Sequence, residues 1–166
     1  MEGEYDMKVN RIHVIGATVG MVALTAFAST AYASPPTGFT PTTLATASLD
    51  SPVQVRGDGV RLRTKGATNV RVQKVVITPD GSSGWHHHPG IVMVVVASGS
   101  VTLLNEHCEA TMYGPGLPNG AAFIESGDEP GLVTSTGGAT SYVTYVVPKV
   151  NPAVFRIEDV APRCAP

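Results

Sequence analysis

Residues 77–104 read "ITPDGSSGWHHHPGIVMVVVASGSVTLL". β-branched residues fill Ile91 to Ala97 and Val101 to Leu104, and Gly, Pro, Asp and Ser cluster between them. That pattern makes strands separated by turns, because β-branched side chains fit a pleated surface and turn residues end it. Side chains alternate along an extended chain, so His86 and His88 face one side, about 7 Å apart at Cα, and His87 faces the other. Two imidazoles converging on one point suit iron, copper, nickel or zinc, while the bland alternative is a pair of pocket histidines bonded to backbone or water.

The same texture extends in both directions. "PVQV" (52–55), "VRLR" (60–63), "VRVQKVVIT" (70–78), "AAFI" (121–124), "LVTST" (132–136) and "SYVTYVVP" (141–148) read as further strands, punctuated by "GDG" (57–59), "GPGLPNG" (114–120) and "TGG" (136–138). After residue 33 no stretch keeps a 3.6-residue apolar period. Many short strands with no helical spacers predict an all-β sandwich or barrel. The run "IVMVVV" (91–96) reads as barrel core.

The chain has 166 residues, 43% hydrophobic and 14% charged, with a formal charge of −2. Those values fit one globular domain and exclude a disordered composition. No run of either sign draws it to nucleic acid or to an anionic membrane.

Residues 1–33 read as an address: Lys8 and Arg11 precede the apolar run Val14 to Ala28, and "AYAS" places small residues for cleavage after Ala33. This predicts a secreted protein with no membrane attachment after signal cleavage; the competing reading is an uncleaved anchor. Acidic Glu2, Glu4 and Asp6 ahead of the basic region leave both Met1 and Met7 as starts. Both cysteines, Cys108 and Cys164, follow the signal, and in an oxidising compartment they are expected to pair, although free thiols or an intermolecular bond stay open. A bond closing that 56-residue separation would constrain the unfolded chain by about 4 kcal/mol. Residues 34–40 read as an extended lead-in, 41–150 as the barrel, and 151–166 as a tail lying over it.

The run "ITPDGSSGWHHHPGIVMVVVASGSVTLL" also resembles the first motif of the cupin superfamily, in the form found in small exported single-domain bacterial cupins. Gly81 matches the leading glycine, His86 and His88 the His-x-His pair, and Gly99 the glycine closing the next strand. The resemblance spans residues 41–150 and implies a single-domain jelly-roll β-barrel whose interior holds one metal on three histidines and a glutamate. This chain departs from that pattern twice. Val92 stands where the acidic ligand should be, and no histidine follows His107, so the second motif in "GAAFIESGDEPGLVTSTGG" (120–138) lacks its own histidine and asparagine.

Glu125 is the best third metal ligand, ahead of His107, Glu106 and Asp128; the bland reading is a solvated carboxylate at a strand end. Trp85 is a pocket wall or a core residue. No G-x-S-x-G elbow and no phosphate loop is present. The leading expectation is therefore an exported binder of a small organic ligand, with Trp85, His86 and His88 edging the pocket. A divalent transition metal (iron, manganese, copper, nickel or zinc) is then weakly held or absent on His86, His88 and Glu125. A metal-dependent enzyme of dioxygenase or isomerase type is the alternative, and a structural or interaction barrel, associating as a homodimer through sheet edges, is the third.

Overall fold

The structure is a computed structural model that describes residues 34–163. The signal segment and Cys164 lie outside the described residues. Twelve strands and no helix occur among them: β1 (Thr37–Leu49), β2 (Gln54–Gly57), β3 (Val60–Arg63), β4 (Thr68–Ser82), β5 (His86–His87), β6 (Ile91–Gly99), β7 (Val101–Leu104), β8 (Ala110–Tyr113), β9 (Ala122–Glu125), β10 (Leu132–Ser135), β11 (Ala139–Pro148) and β12 (Ile157–Glu158).

Eight of them form one antiparallel sheet in the order β8-β7-β10-β4-β11-β6-β9, with β1 paired to β4. Strand β4 joins the two halves of that path, between β10 and β11. Its first ten residues pair with β11, and its last two, Gly81 and Ser82, pair with β10 after a bend at Asp80, whose φ is 59°. The result is the all-β, nearly closed barrel that the cupin resemblance implies.

Alternation fills the interior. Val92, Val94 and Val96 of β6, Val143, Tyr145 and Val147 of β11, and Val75 and Ile77 of β4 meet Val101, Phe123, Val133 and Phe155. Branched side chains on facing strands pack this space with little rotamer freedom to lose. The reading of "IVMVVV" as core needs correction: only alternate residues are buried, and Ile91, Met93 and Val95 are exposed on the outer face beside Ile124 and Tyr142. A run of apolar residues implies burial on both faces only where another layer covers the outer one, and no described residues do so here.

Gly99 closes β6 with φ at +73°, and a Cβ there would sit 2.1 Å from the Gly138 carbonyl oxygen. Two turns thus cross too closely for any side chain.

Strands β2 and β3, expected among the barrel strands, instead form a separate two-stranded sheet. Beyond β11 the chain turns back along the barrel. Phe155 enters the core edge-on to Tyr145 at 6.0 Å, with the Arg71 guanidinium 3.5 Å above its ring. Strand β12 then pairs antiparallel with β5, Ile157 opposite His87 and Glu158 opposite His86. Residues Ile157 and Glu158 thus run directly beside the histidines.

Candidate metal centre

Gly84 sets the entry to β5. Its φ is +69°, and a Cβ would lie 2.1 Å from the Ser34 carbonyl oxygen, so only glycine lets the chain turn here. The turn leaves the Gly84 carbonyl aimed back at the His86 ring. His86 is then fixed by paired backbone bonds, its N–H donating to the Gly131 carbonyl at 3.0 Å and its carbonyl accepting from the Gly131 N–H at 2.8 Å. The His88 carbonyl accepts from the Asp128 N–H at 3.0 Å. As alternation predicts, His86 and His88 are buried on the inner side, whereas His87 Nδ1 meets Asp159 Oδ2 at 2.6 Å on the other.

The protons on the two inner rings follow from their partners. His86 Nδ1 lies 2.8 Å from the Gly84 carbonyl, and His88 Nδ1 lies 2.6 Å from the Phe155 carbonyl. A carbonyl only accepts, so each Nδ1 must carry the hydrogen, which leaves each Nε2 with a lone pair when the ring is neutral. Burial, then the nearby Arg156 charge, pushes the His86 pKa down to about 4, so this imidazole is neutral near neutral pH. The rings stand 4.8 Å apart at 88° to each other.

Glu125 completes the group from the end of β9. It is the cross-strand partner of Val92 on β6, so its side chain shares the inner face with the position where the cupin motif carries its acid. Glu125 Oε2 lies 3.4 Å from His88 Nε2, a buried nitrogen with no hydrogen-bond partner. The distance is within ion-pair reach but long for a hydrogen bond. The donor atoms of His86, His88 and Glu125 all lie within 4.8 Å of one another. Ligands of one first-row ion sit roughly 3 to 4.4 Å apart at the usual bond lengths, so the widest gap closes with a shift of a few tenths of an ångström.

A pocket of about 230 Å³ opens from these three residues toward solvent, with Leu103, His107 and Glu129 also on its walls. On the inner side a cavity of about 30 Å³ is lined by Phe123, Val143, Tyr145 and the same three residues. Burial and the Glu125 charge raise the Tyr145 pKa to about 12, so its phenol keeps its proton.

Trp85 is buried but lines neither cavity; its backbone N–H donates to Ser34 Oγ and its carbonyl accepts from the Asp159 N–H. His107 and Glu106 are at the pocket mouth, outside the three-residue cluster, and Asp128 lines neither cavity. Cys108 sits half-buried in a turn with φ of 59°. Sequence reading missed the two carbonyls that fix the rings, Gly84 and Phe155. Backbone acceptors carry no residue-type signal.

The pH response of this site has a definite sign. Unfolded histidine takes a proton below about 6.5, whereas folded His86 resists until about 4, so the unfolded state binds more protons in that window. Metal-free protein is therefore expected to lose about 3 kcal/mol of stability as pH falls from 6.5 to 4 on this account alone, with no contribution above that range. Urea denaturation of wild type and His86→Gln across these pH values checks it. Equal slopes in the two proteins would contradict the assignment.

No protein-family profile and no curated protein matches this chain. Similar solved structures include a conserved protein of unknown function from Streptococcus pyogenes, 16% identical, TM-score 0.44, over 49% of this chain and 67% of that one. The polyketide cyclase RemF from Streptomyces resistomycificus is 20% identical, TM-score 0.43, over 53% and 60%. An oxalate oxidase in complex with the substrate analogue glycolate is 16% identical, TM-score 0.39, over 45% and 40%. The chain thus spans two thirds or less of each of these proteins' length.

Proposed function

We propose that His86, His88 and Glu125 hold one divalent transition-metal ion at the inner end of a small-ligand pocket, and that this ion and pocket together are the working site. The observation that carries the reading is His88 Nε2: buried, without a hydrogen-bond partner while Nδ1 is engaged by the Phe155 carbonyl, and facing a carboxylate oxygen at 3.4 Å. A lone pair and a carboxylate turned toward each other in a low-dielectric interior repel unless a cation lies between them. Two imidazoles and one carboxylate on one side of an ion is a donor set suited to ferrous iron and its neighbours. Bound there, such an ion supplies Lewis acidity and open coordination positions toward the pocket. The protein's part is to orient both rings through Gly84 and Phe155, to keep His86 neutral, and to confine a ligand in a pocket smaller than most small-molecule sites.

A second reading is favoured by the same contact: His88 protonated, donating to Glu125, in a metal-free binder of a small organic molecule. The two readings separate by mutation. With a metal, His86→Ala, His88→Ala and Glu125→Gln each lower affinity for supplied Fe(II), Mn(II) or Zn(II) by at least about 100-fold, and His87→Ala leaves it nearly unchanged. Loss in His87→Ala with His86→Ala unaffected would defeat the assignment. Export through residues 1–33 and a Cys108–Cys164 bond complete the proposal. Both rest on the sequence pattern, and thiol counting on exported protein tests the second.

A further inference from the structure

The β2–β3 hairpin stands apart from the barrel sheet, and every residue from Gln54 to Arg63 is exposed. Its register sorts the side chains cleanly. Val55 is opposite Leu62 and Gly57 opposite Val60, which places Val55, Val60 and Leu62 on one face at 56%, 71% and 40% exposure. Arg56 is opposite Arg61 and Gln54 opposite Arg63, which gathers three arginines on the other face. With Lys65 just beyond β3, this short segment carries four of the nine Lys and Arg in residues 34–166, against Asp58 alone at its tip.

Neither face has a strand partner beyond the hairpin among the described residues. No ion pair or side-chain hydrogen bond joins Arg56, Arg61 or Arg63 to another group among the described residues. Like charges directly opposite each other destabilise a strand pair, and a lone two-stranded hairpin is marginal in water. A hairpin that is apolar on one side, cationic on the other and exposed on both is complementary to a surface that is itself apolar and anionic.

We infer that β2–β3 docks the protein on an anionic phospholipid surface. Val55, Val60 and Leu62 enter the boundary between headgroups and acyl chains, and the arginines reach lipid phosphates along the rim of the hairpin. A soluble polyanion would use the arginines and leave the apolar face in water, which is why lipid is the better occupant. The whole-chain charge of −2 conceals this site, because strand pairing concentrates cations that the sequence spaces apart.

Vesicle co-sedimentation of the full chain tests the inference, with residues 1–33 common to every protein compared. Wild type should partition onto phosphatidylcholine vesicles containing phosphatidylglycerol on the order of 100-fold more strongly than Arg56→Gln/Arg61→Gln/Arg63→Gln, since each cation near an anionic surface is worth about five-fold. Arg56→Lys/Arg61→Lys/Arg63→Lys should keep most of the binding, and Val60→Ser/Leu62→Ser should lose several-fold. On pure phosphatidylcholine the arginine variants should not differ from wild type. Equal partition of wild type and the triple Gln variant would overturn the inference. So would a charge effect with no loss in Val60→Ser/Leu62→Ser, particularly if heparin bound as well as vesicles, because that pattern marks a soluble polyanion site. All of these positions are exposed, so unchanged melting temperatures are expected throughout.

Discussion

Exchanging the residues at positions 92 and 125 is expected to move the metal-binding carboxylate from one strand to its neighbour without losing the metal. Val92 and Glu125 are direct partners across β6 and β9, and both side chains point inward, so their Cβ atoms lie about 5 Å apart. Glu125→Val alone removes the only carboxylate in the cluster and should weaken metal binding by at least about 100-fold. Val92→Glu alone buries a second carboxylate beside the first, at a position fully shielded from solvent. It should cost the metal-free protein at least about 3 kcal/mol. The double variant Val92→Glu/Glu125→Val restores one carboxylate at the position the cupin motif uses. It should recover affinity to within about ten-fold of wild type. If the double variant binds no better than Glu125→Val, position 125 is not acting as a displaced form of the family's acid.

The second large effect belongs to the tail. Phe155 is buried in the core against Tyr145 and under Arg71, and its carbonyl fixes the proton on His88 Nδ1. Phe155→Ala should lower stability by about 3–5 kcal/mol through the cavity it leaves. Because the same segment then loosens behind His88, metal affinity measured well below the new melting temperature should fall by about 10- to 100-fold. Asp159→Asn provides the control, since it weakens the contact to outward-facing His87 and should leave metal affinity within about three-fold of wild type. A Phe155→Ala protein that melts lower but binds metal normally would mean that the tail stabilises the barrel without orienting His88.

The barrel was legible because its determinants are local: β-branched runs between glycine turns, and a His-x-His pair whose alternation puts His87 apart from His86 and His88. Glu125 was visible as an acid returning in the second motif. Its exact service was not, because that depends on β9 pairing with β6 in a register that places it opposite Val92. Three features lay beyond sequence. The β1 strand from Thr37 to Leu49 is rich in Thr and Ala with a proline, and mostly exposed, so it lacks an alternating apolar signal. The hairpin β2–β3 has strand-like composition, yet nothing in it says that it leaves the barrel. The carbonyls of Gly84 and Phe155 act through backbone position alone.

The metal centre requires that His86, His88 and Glu125 take up an ion. Purified wild type, stripped with chelator, supplied anaerobically with Fe(II) or Mn(II) and freed of excess by gel filtration, should retain one ion per chain. Elemental analysis should give the same protein no ion once His86 and His88 are both alanine. Nitrogen-15 spectra of the metal-free protein should show a hydrogen on His88 Nδ1, held by the Phe155 carbonyl. No retained metal above the double-alanine variant would contradict the metal centre and leave a metal-free pocket in its place.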